Sequence, residues 1–279
     1  MVEGEGRAGC LYVVSTPIGN LRDITLRAID TLRSVDLILA EDTRHSRRLL
    51  DRHEIATPML SYHEHNEARA TSTAIARLRD GRDVALISDA GTPLVSDPGV
   101  RLVRAAAEAG IPVVPVPGPS AVLAALVSSA LGSERFTFFG FLARKGRERE
   151  DALEELSGLR HTGVLYEAPN RVAATLAELV ERGSAERRAV VARELTKQFE
   201  EIRRGTVSQL AAYYESSPPR GEVVIVLEGI TVQPLAEDEL RSRARSLRAS
   251  GLSARDVAAA LVREAGASRN LAYRLAHEA

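Results

Sequence analysis

Short apolar runs alternate along the chain with stretches in which apolar residues recur every three or four positions. In the first half the runs predict strands at residues 11–14, 36–40, 83–87 and 112–116. The helical spacing predicts helices at residues 25–32, 66–80, 100–110 and 121–131. Because short continuous apolar runs are typical of strands buried on both faces, this half is predicted to be α/β, with a parallel sheet between two helical layers.

A second alternating unit follows residue 132. Its predicted strands are residues 136–139, 163–166, 189–192 and 222–227, with helices at 170–181 and 207–214. Residues 199–204 lie too close to their neighbours for a crossover and are predicted to pair antiparallel. From residue 231 a polar linker leads to a helical tail with Ser253 and Ser268 as N-caps. The predicted domains are therefore 1–132 and 133–232, followed by a linker and helical tail at 233–279.

The loop between the strand at 83–87 and the helix after it has an unusual composition. Its sequence, SDAGTPLVSDPG, contains two Gly, two Pro, two Ser and two Asp. Such a loop beyond the carboxyl end of a strand is suited to presenting backbone N–H groups to a ligand. We assign Asp97 to capping the next helix. Residues 89–93 have no comparable structural explanation, so they are the predicted working centre.

Charge and composition narrow the classes of partner. The 279 residues carry a net charge of −1, so a nucleic acid would be met by a local patch. The densest basic loop contains Arg144, Lys145, Arg147 and Arg149. A solvated surface and a site for RNA phosphate are equally open interpretations of this loop.

Cysteine and histidine usage exclude two further kinds of site. The lone Cys10 cannot form a disulfide framework, and His63 with His65 lacks further ligands, so we predict no metal. No apolar run is long enough to span a bilayer, and the N-terminus has no signal-peptide core. These features favour a cytoplasmic protein.

Eight motifs occur in one order over residues 11–229, about four-fifths of the chain. They are LYVVSTPIGNLRDIT, LILAEDTRH, SDAGTPLVSDPG, PVPGPSA, FFGFLARKGR, YEAPNR, ARELTK and RGEVVIVLEG. Together they resemble the small-subunit ribosomal RNA 2′-O-ribose cytidine methyltransferases (methyltransferase I family), within the tetrapyrrole-methylase-like class. The resemblance implies two α/β domains of the tetrapyrrole methylase type with S-adenosylmethionine in the cleft between them, plus a small C-terminal helical extension. It also implies a homodimer and, as partner, small-subunit rRNA or the assembled small ribosomal subunit.

The resemblance also assigns residues to the cofactor. The implied cofactor-binding residues are Pro17, Asp89, Ala90, Gly91, Thr92, Gly118, Ser120, Tyr166 and Ala192. Ser120 has an alternative role as N-cap of the helix that follows it. The turn after the first strand, residues 15–19, is not a GxGxxG fingerprint, and GxxxxGK[ST] does not occur in the chain, which disfavours a dinucleotide enzyme or an NTPase.

A ribose 2′-hydroxyl is a poor nucleophile, so its proton must be removed while it is held in line with the methyl group. The charged residues at strand ends are Glu41, Asp42, Arg44, His45, Glu167, Arg193, Glu194 and Lys197. An ion pair at a strand terminus is the alternative for each of them. Arg44 and Arg193 cannot accept a proton and are expected to bind RNA phosphate. Lys197, Glu194 and Asp42 are the candidate bases, with Lys197 slightly favoured provided that its pKa is lowered.

Two other functions remain open from the residues. A methylase of tetrapyrroles or another small substrate would share the fold, but the basic loop, the tail and ARELTK argue against it. A nucleic-acid-binding regulator would use the helix–turn–helix pattern of the tail. That second helix offers only Arg269 and Arg274 as basic residues, so a packing appendage is favoured.

Overall fold

Two five-stranded sheets form the larger part of the molecule. The computed structural model describes residues 9–230 and 235–279. Within them, both sheets belong to one compact unit that ends at Glu228. A smaller unit comprises Gly158–His161 and the described chain from Gly229 onward. In the described ranges no helix combines the length and apolar character needed to cross a membrane.

The first sheet is parallel throughout, as predicted. Its strands, in the order β3-β2-β4-β1-β5, are β1 Leu11–Val14, β2 Leu37–Ala40, β3 Met59–Ser61, β4 Val84–Ile87 and β5 Val113–Val116. Its helices are α1 Leu26–Ser34, α2 Thr43–Arg52, α3 Glu67–Arg79, α4 Val100–Glu108 and α5 Ala121–Ser129. Buried side chains of α1 and α2 pack on one face, and those of α3 and α4 on the other. The prediction of a sheet covered on both sides is confirmed.

The second sheet is mixed, with both parallel and antiparallel pairs. Its strands, in the order β6-β7-β10-β8-β9, are β6 Phe136–Phe141, β7 Thr162–Glu167, β8 Arg188–Arg193, β9 Glu201–Thr206 and β10 Val223–Leu227. Only β6 and β7 pair parallel. β10 lies between β7 and β8 and is antiparallel to both. The antiparallel pairing predicted for residues 199–204 is confirmed, since β9 pairs with β8 in that sense.

Helix α5 joins the two sheets. Val122, Ala125 and Leu126 of this helix share one buried apolar cluster with Ile18 and with side chains of β7, β8 and β10. The predicted division at residues 132 and 133 falls between α5 and β6 and stays a prediction. The division predicted at 232 and 233 lies outside the described residues.

Three elements were missed because their apolar pattern is weak. They are α2, β3 and α9 Glu237–Ala249, whereas α6 Arg147–Gly158 is the helix that follows the basic loop. Only Ser46, Leu49 and Leu50 of α2 are buried, so little hydrophobic periodicity marks it. α9 buries only Leu240 and Ala244, and we had assigned most of it to a linker.

The remaining helices follow their predicted positions. α7 Val172–Leu179 and α8 Val207–Ser216 belong to the second sheet's unit, and α10 Ala254–Ala265 and α11 Arg269–Glu278 complete the smaller unit. Ser253 and Ser268 cap α10 and α11, each accepting a hydrogen bond from a backbone N–H, as predicted. An apolar cluster of α9, α10 and α11 forms the core of the smaller unit.

Candidate functional site

A cavity of about 420 Å³, called here the acidic cavity, is lined by the loops after β4 and β5 and by the ends of β7 and β10. Among the predicted cofactor residues, those lining it are Asp89, Ala90, Gly91, Thr92, Ser120 and Tyr166. The Tyr166 ring contacts Phe141, with ring centroids 5.3 Å apart, and both rings line the cavity. Burial raises the pKa of Tyr166 to about 12, so its phenol stays neutral. These rings give the cavity a flat apolar wall.

Hydrogen bonds to the first strand's loop hold the lining loop in place. Thr16 and Gly91 form an isolated antiparallel bridge, with N···O distances of 2.8 and 3.0 Å. The Thr16 hydroxyl also donates to the Ser88 carbonyl at 3.0 Å. Gly91 has φ of 82°, a left-handed conformation that side chains disfavour. Leu94 and Ser96 adopt φ of 73° and 66°, and such backbone strain is concentrated at functional loops.

The remaining predicted cofactor residues have other surroundings. Ser120 accepts a hydrogen bond from Leu123 N at 3.4 Å and so caps α5 as well as lining the cavity. Gly118 packs on Ser15, where a Cβ would lie 3.0 Å from the Ser15 Cβ. Ala192 is buried in the apolar cluster under the second sheet, and Pro17 lines a different cavity. None of these last three residues lines the acidic cavity.

Carboxylates dominate the polar wall of the acidic cavity. Five acidic residues line it, namely Glu41, Asp89, Asp97, Glu167 and Glu222, and no Lys, Arg or His among the described residues does. Burial, followed by the charge of Glu41, raises the pKa of Asp97 to about 6. Burial, followed by the charge of Asp89, likewise raises the pKa of Glu41. A cavity with this wall attracts a positively charged ligand.

The role assigned to Asp97 was therefore wrong. Gly99, with φ of 136°, occupies the N-cap position of α4, and no side chain caps this helix. The loop turns the Asp97 side chain into the cavity instead, beside the Ser88 hydroxyl. The composition of the loop marked the right segment, but the cap assignment depended on a backbone conformation that only the fold specifies.

A second cavity of about 310 Å³, called here the basic cavity, shares Asp89 with the acidic cavity. His45, Ser46 and Arg48 of α2 line it together with Pro17 and Lys197. Ser46 and Arg48 were not recognised from the sequence because α2 itself was missed. Their helical spacing from His45 is the signal that would have found them.

Lys197 reaches the basic cavity as part of an ion-pair network. Its ammonium lies 2.9 Å from Glu194 Oε1 and 3.1 Å from Glu222 Oε2. Burial alone would lower the pKa of Lys197, but hydrogen bonds to these two carboxylates raise it overall. The Lys197 stem covers Gly19 so closely that a Cβ there would overlap it. The lowered pKa that a lysine base requires is therefore not found.

Glu194 is held as tightly as its partner. Its Oε1 accepts a hydrogen bond from Glu222 N at 3.0 Å as well as from Lys197. Burial opposes ionisation, yet these hydrogen bonds and the nearby cations lower the pKa of Glu194 overall. Its backbone has φ of 49°, and Thr196 has φ of 67°. Glu194 is therefore an ionised carboxylate in a strained turn next to the basic cavity.

Asp42 and Arg44 pair with each other at the start of α2. The Asp42 carboxylate accepts a hydrogen bond from Arg44 N at 2.8 Å, and its second oxygen lies 3.3 Å from the Arg44 guanidinium. The hydrogen bond from the Arg44 side chain lowers the pKa of Asp42. Asp42 is therefore a helix cap, which leaves little support for it as a base. The Arg44 side chain is 91% exposed and remains available to other partners.

The basic loop divides into exposed and buried members. Arg144, Lys145 and Arg147 are exposed, and Arg147 lies 3.5 Å from Asp151. Arg149 was wrongly grouped with them. It is buried, and its guanidinium contacts Glu178 at 2.8 Å and the Thr175 hydroxyl at 3.0 Å. It fastens α6 to α7 and is not accessible to phosphate.

The other second-half arginine predicted to bind RNA is also engaged. Arg193 lies 2.7 Å from Glu201 across the β8–β9 pair, and its side chain is 24% exposed. Among the described residues no group of three or more His, Cys, Asp or Glu is arranged to hold a metal ion. The expectation of no metal stays a prediction.

Comparison with known proteins identifies the family. The model of the Tetrapyrrole (Corrin/Porphyrin) Methylases matches residues 10–211. A Synechocystis protein named ribosomal RNA small subunit methyltransferase I is 46% identical over 273 residues, which cover 97% of this chain and 98% of that protein. A Mesorhizobium japonicum protein of the same name is 50% identical over 216 residues, covering 77% of this chain and 74% of that protein. The chain belongs to the ribosomal RNA small subunit methyltransferase I family.

Membership of the methyltransferase I family confirms the family that the eight motifs resemble. Because the Synechocystis match covers 97% of the chain, it extends well beyond residues 11–229 into the smaller helical unit. The fold is shared more widely among tetrapyrrole methylases. Uroporphyrin-III C-methyl transferase from Thermus thermophilus, solved in complex with S-adenyl homocysteine, is 19% identical with a TM-score of 0.57. That likeness covers 79% of this chain and 97% of the other.

Proposed function

We propose that this chain transfers a methyl group from S-adenosylmethionine to the 2′-hydroxyl of a cytidine ribose in small-subunit (16S-type) ribosomal RNA. The observation that carries the proposal is the family match over nearly the whole chain to proteins named ribosomal RNA small subunit methyltransferase I. The choice of the ribose hydroxyl and of cytidine rests on the resemblance of the ordered motifs over residues 11–229.

The acidic cavity suits S-adenosylmethionine in its charge and its shape. When bound, this cofactor supplies an electrophilic methyl group on a positively charged sulfonium. Glu41, Asp89 and Asp97 would hold its positive groups, while Tyr166 and Phe141 would flank its adenine. A phosphate-bearing cofactor would meet five carboxylates and no basic side chain in the described wall of this cavity, which disfavours nucleoside phosphates and dinucleotides.

The ion pair of Lys197 and Glu194 supplies the groups for the acceptor. The raised pKa keeps Lys197 protonated, so it donates a hydrogen bond to the 2′-oxygen and stabilises its developing negative charge. The bound cofactor would supply the methyl carbon to this oxygen and would keep the electron pair of its carbon–sulfur bond on sulfur. Glu194, which is ionised and adjacent, is the candidate acceptor of the hydroxyl proton. Asp42 is left out of this step because its side chain caps α2.

Transfer in vitro tests the proposal. The purified chain, supplied with S-adenosylmethionine, is incubated with small-subunit rRNA, or with assembled subunits, from cells that lack it. We expect 2′-O-methylcytidine after digestion of the RNA to nucleosides. Comparing naked rRNA with subunits identifies the substrate form. A methyl group on a base, or transfer to a tetrapyrrole but not to either RNA sample, would contradict the proposal.

Two accompanying proposals have separate tests. Calorimetry with S-adenosylmethionine distinguishes an enzyme from a nucleic-acid-binding regulator, which would show no heat of binding. The homodimer implied by the family resemblance predicts twice the mass of the chain in light scattering at working concentration.

A further inference from the structure

The wall of the basic cavity contains a buried hydroxyl without a partner. Ser46 is 3% exposed, and its Oγ has no hydrogen-bond partner among the residues that the structure describes. Ser46 also lines the basic cavity. Leaving a buried polar atom unpaired costs free energy, so such atoms in native proteins call for an explanation. A ligand group that enters the cavity and pairs with this hydroxyl supplies one.

Basic side chains line the same cavity as this hydroxyl, and Asp89 adds one carboxylate to the wall. Arg48 lies two positions further along α2, with no carboxylate within 4.0 Å of it among the described residues, and His45 precedes Ser46. Lys197 approaches from the second half of the chain. Pro17 and Leu21 add apolar surface to the same wall. A fitting ligand is therefore an anion with a hydrogen-bonding group and a flat apolar part.

We infer that the basic cavity binds the acceptor nucleotide, with its phosphate on Arg48 and His45 and a polar group on Ser46. This inference rests on the proposed function, because it takes a nucleotide of RNA as the methyl acceptor. The cavity volume of about 310 Å³ lies within the usual range for small-ligand sites. To enter it, the nucleotide must leave its stack, as in other enzymes that modify nucleic acids.

The position of the basic cavity next to the acidic cavity supports the assignment. Asp89 lines both, and the Thr16–Gly91 bridge joins the loop of one to the loop of the other. A hydroxyl held beside Lys197 and a methyl donor held by the acidic wall would thus occupy two cavities that share Asp89. The acidic cavity repels phosphate, and the basic cavity attracts it, so the two ligands are sorted by charge.

Two substitutions on α2 test the inference, with a matched control between them. Arg48→Gln removes the cation and Ser46→Ala removes the hydroxyl. Arg47→Gln changes the adjacent exposed arginine, which lines neither cavity. Binding to small-subunit rRNA from cells lacking the protein is measured with S-adenosylhomocysteine present. Saturation-transfer NMR measures the affinity for cytidine 5′-monophosphate. Calorimetry measures the affinity for S-adenosylhomocysteine in the absence of RNA.

We expect Arg48→Gln to flatten the slope of log RNA affinity against log salt by about 0.7–0.9, as one lost phosphate contact does. Ser46→Ala should weaken nucleotide binding about 2- to 10-fold, the worth of one hydrogen bond, without lowering the melting temperature. Arg47→Gln should match the wild type in the mononucleotide measurement. Affinity for S-adenosylhomocysteine should be unchanged throughout.

The outcomes separate this inference from the proposed function. If the wild type methylates rRNA while all three variants bind RNA and cytidine monophosphate as it does, the basic cavity is not the acceptor site, and the proposed function stands. If the wild type methylates no ribose, but Arg48→Gln and Ser46→Ala bind cytidine monophosphate more weakly than the wild type does, the proposed function fails and the nucleotide site is supported. A lower melting temperature in Ser46→Ala would show that the hydroxyl stabilises the fold, which would contradict its role in binding the nucleotide.

Discussion

At the scale of single residues, the carboxylates of its wall determine which ligand charge the acidic cavity prefers. Burial raises the pKa of both Glu41 and Asp97, and a neighbouring charge adds to it, that of Asp89 for Glu41 and that of Glu41 for Asp97. Folding therefore places negative charge where water stabilises it poorly, and a cationic ligand relieves that cost. The neutral product S-adenosylhomocysteine lacks the sulfonium charge. The same wall thus favours the substrate form of the cofactor over the product form.

The variant Asp97→Asn is expected to bind S-adenosylmethionine about tenfold more weakly at pH 8, with a smaller effect on S-adenosylhomocysteine. In the wild type, affinity should fall as the pH drops through about 6, where Asp97 gains its proton. Calorimetry between pH 5 and pH 8 measures both effects. Asp80→Asn, an exposed carboxylate at the end of α3, is the control. Equal ratios of the two cofactor affinities in variant and wild type would contradict this account.

Asp97→Asn should weaken cofactor binding but increase the stability of the ligand-free protein at pH 8. A carboxyl whose pKa is raised by folding stabilises the protein at low pH, and this contribution is lost as the pH rises through the folded value, about 6 for Asp97. Asp97→Asn should therefore raise the melting temperature of the ligand-free protein at pH 8 and have little effect at pH 4. Thermal unfolding at the two pH values checks the sign. A lower melting temperature at pH 8 would show that the carboxylate is stabilising.

Lys197→Met and Glu194→Gln should slow single-turnover methylation at least about 100-fold, the lower range for a positioned acid or base. Both residues belong to one ion-pair network beside the basic cavity, so their effects should not add. Lys145→Met on the exposed loop serves as the control for loss of a lysine charge. Wild-type rates in both variants would mean that the proton passes directly to water and that catalysis depends on positioning alone.

At the scale of elements, the loop after β4 has one conformation because the loop after β1 holds it. The Thr16–Gly91 bridge requires a residue that accepts φ of 82°. A Cβ at Gly91 would also lie 3.4 Å from Ile18 Cγ2, at the edge of the apolar cluster that joins the sheets. Backbone geometry at this position therefore governs both the cavity and its support.

Gly91→Val should weaken binding of S-adenosylmethionine while unfolding stays cooperative. Gly110→Val is the matched control, because Gly110 has φ of 69° with open space around its missing Cβ and lines neither cavity. Each substitution adds left-handed strain of about 1–2 kcal/mol, so melting temperatures should fall similarly. Only Gly91→Val should lose affinity in calorimetry, and equal affinities in the two variants would contradict the role of the loop.

The basic loop and α6 contain both exposed and buried basic residues, whose substitutions should have different effects. Neutralising Arg144, Lys145 or Arg147 one at a time should flatten the salt slope of RNA binding by about 0.7–0.9 where a phosphate is contacted. Arg149→Gln should instead cost about 3 kcal/mol of stability, because it leaves Glu178 without its buried partner. Unchanged slopes for all three exposed residues would make the loop a solvated surface.

Sequence patterns predicted the elements that are buried on one face or on both. They did not predict features that depend on contacts between residues distant in the sequence. The four buried residues of β4 were evident from their apolar run. α2 was not, since its ends bear arginines and its buried face is narrow. The loop at 88–99 was recognisable from Gly and Pro. The direction of Asp97 depended on φ of 136° at Gly99, and the raised pKa of Lys197 depended on Glu222, a residue far away in sequence.

At the scale of the whole molecule, a net charge of −1 conceals a separation of charge within the larger unit. The acidic cavity suits a cation and the basic cavity suits an anion, and the two meet at Asp89. A methyl donor with a sulfonium and an acceptor with a phosphate backbone are such a pair. Family membership, charge and position thus lead to the same reaction.

Ribose methylation mapped in small-subunit rRNA, from cells with and without this protein, shows whether the chain methylates a cytidine ribose. We expect one cytidine to lose its 2′-O-methyl group when the protein is absent. Expression of the wild type should restore it, and expression of Gly91→Val should not. An rRNA methylation pattern that is identical with and without the protein would contradict the account.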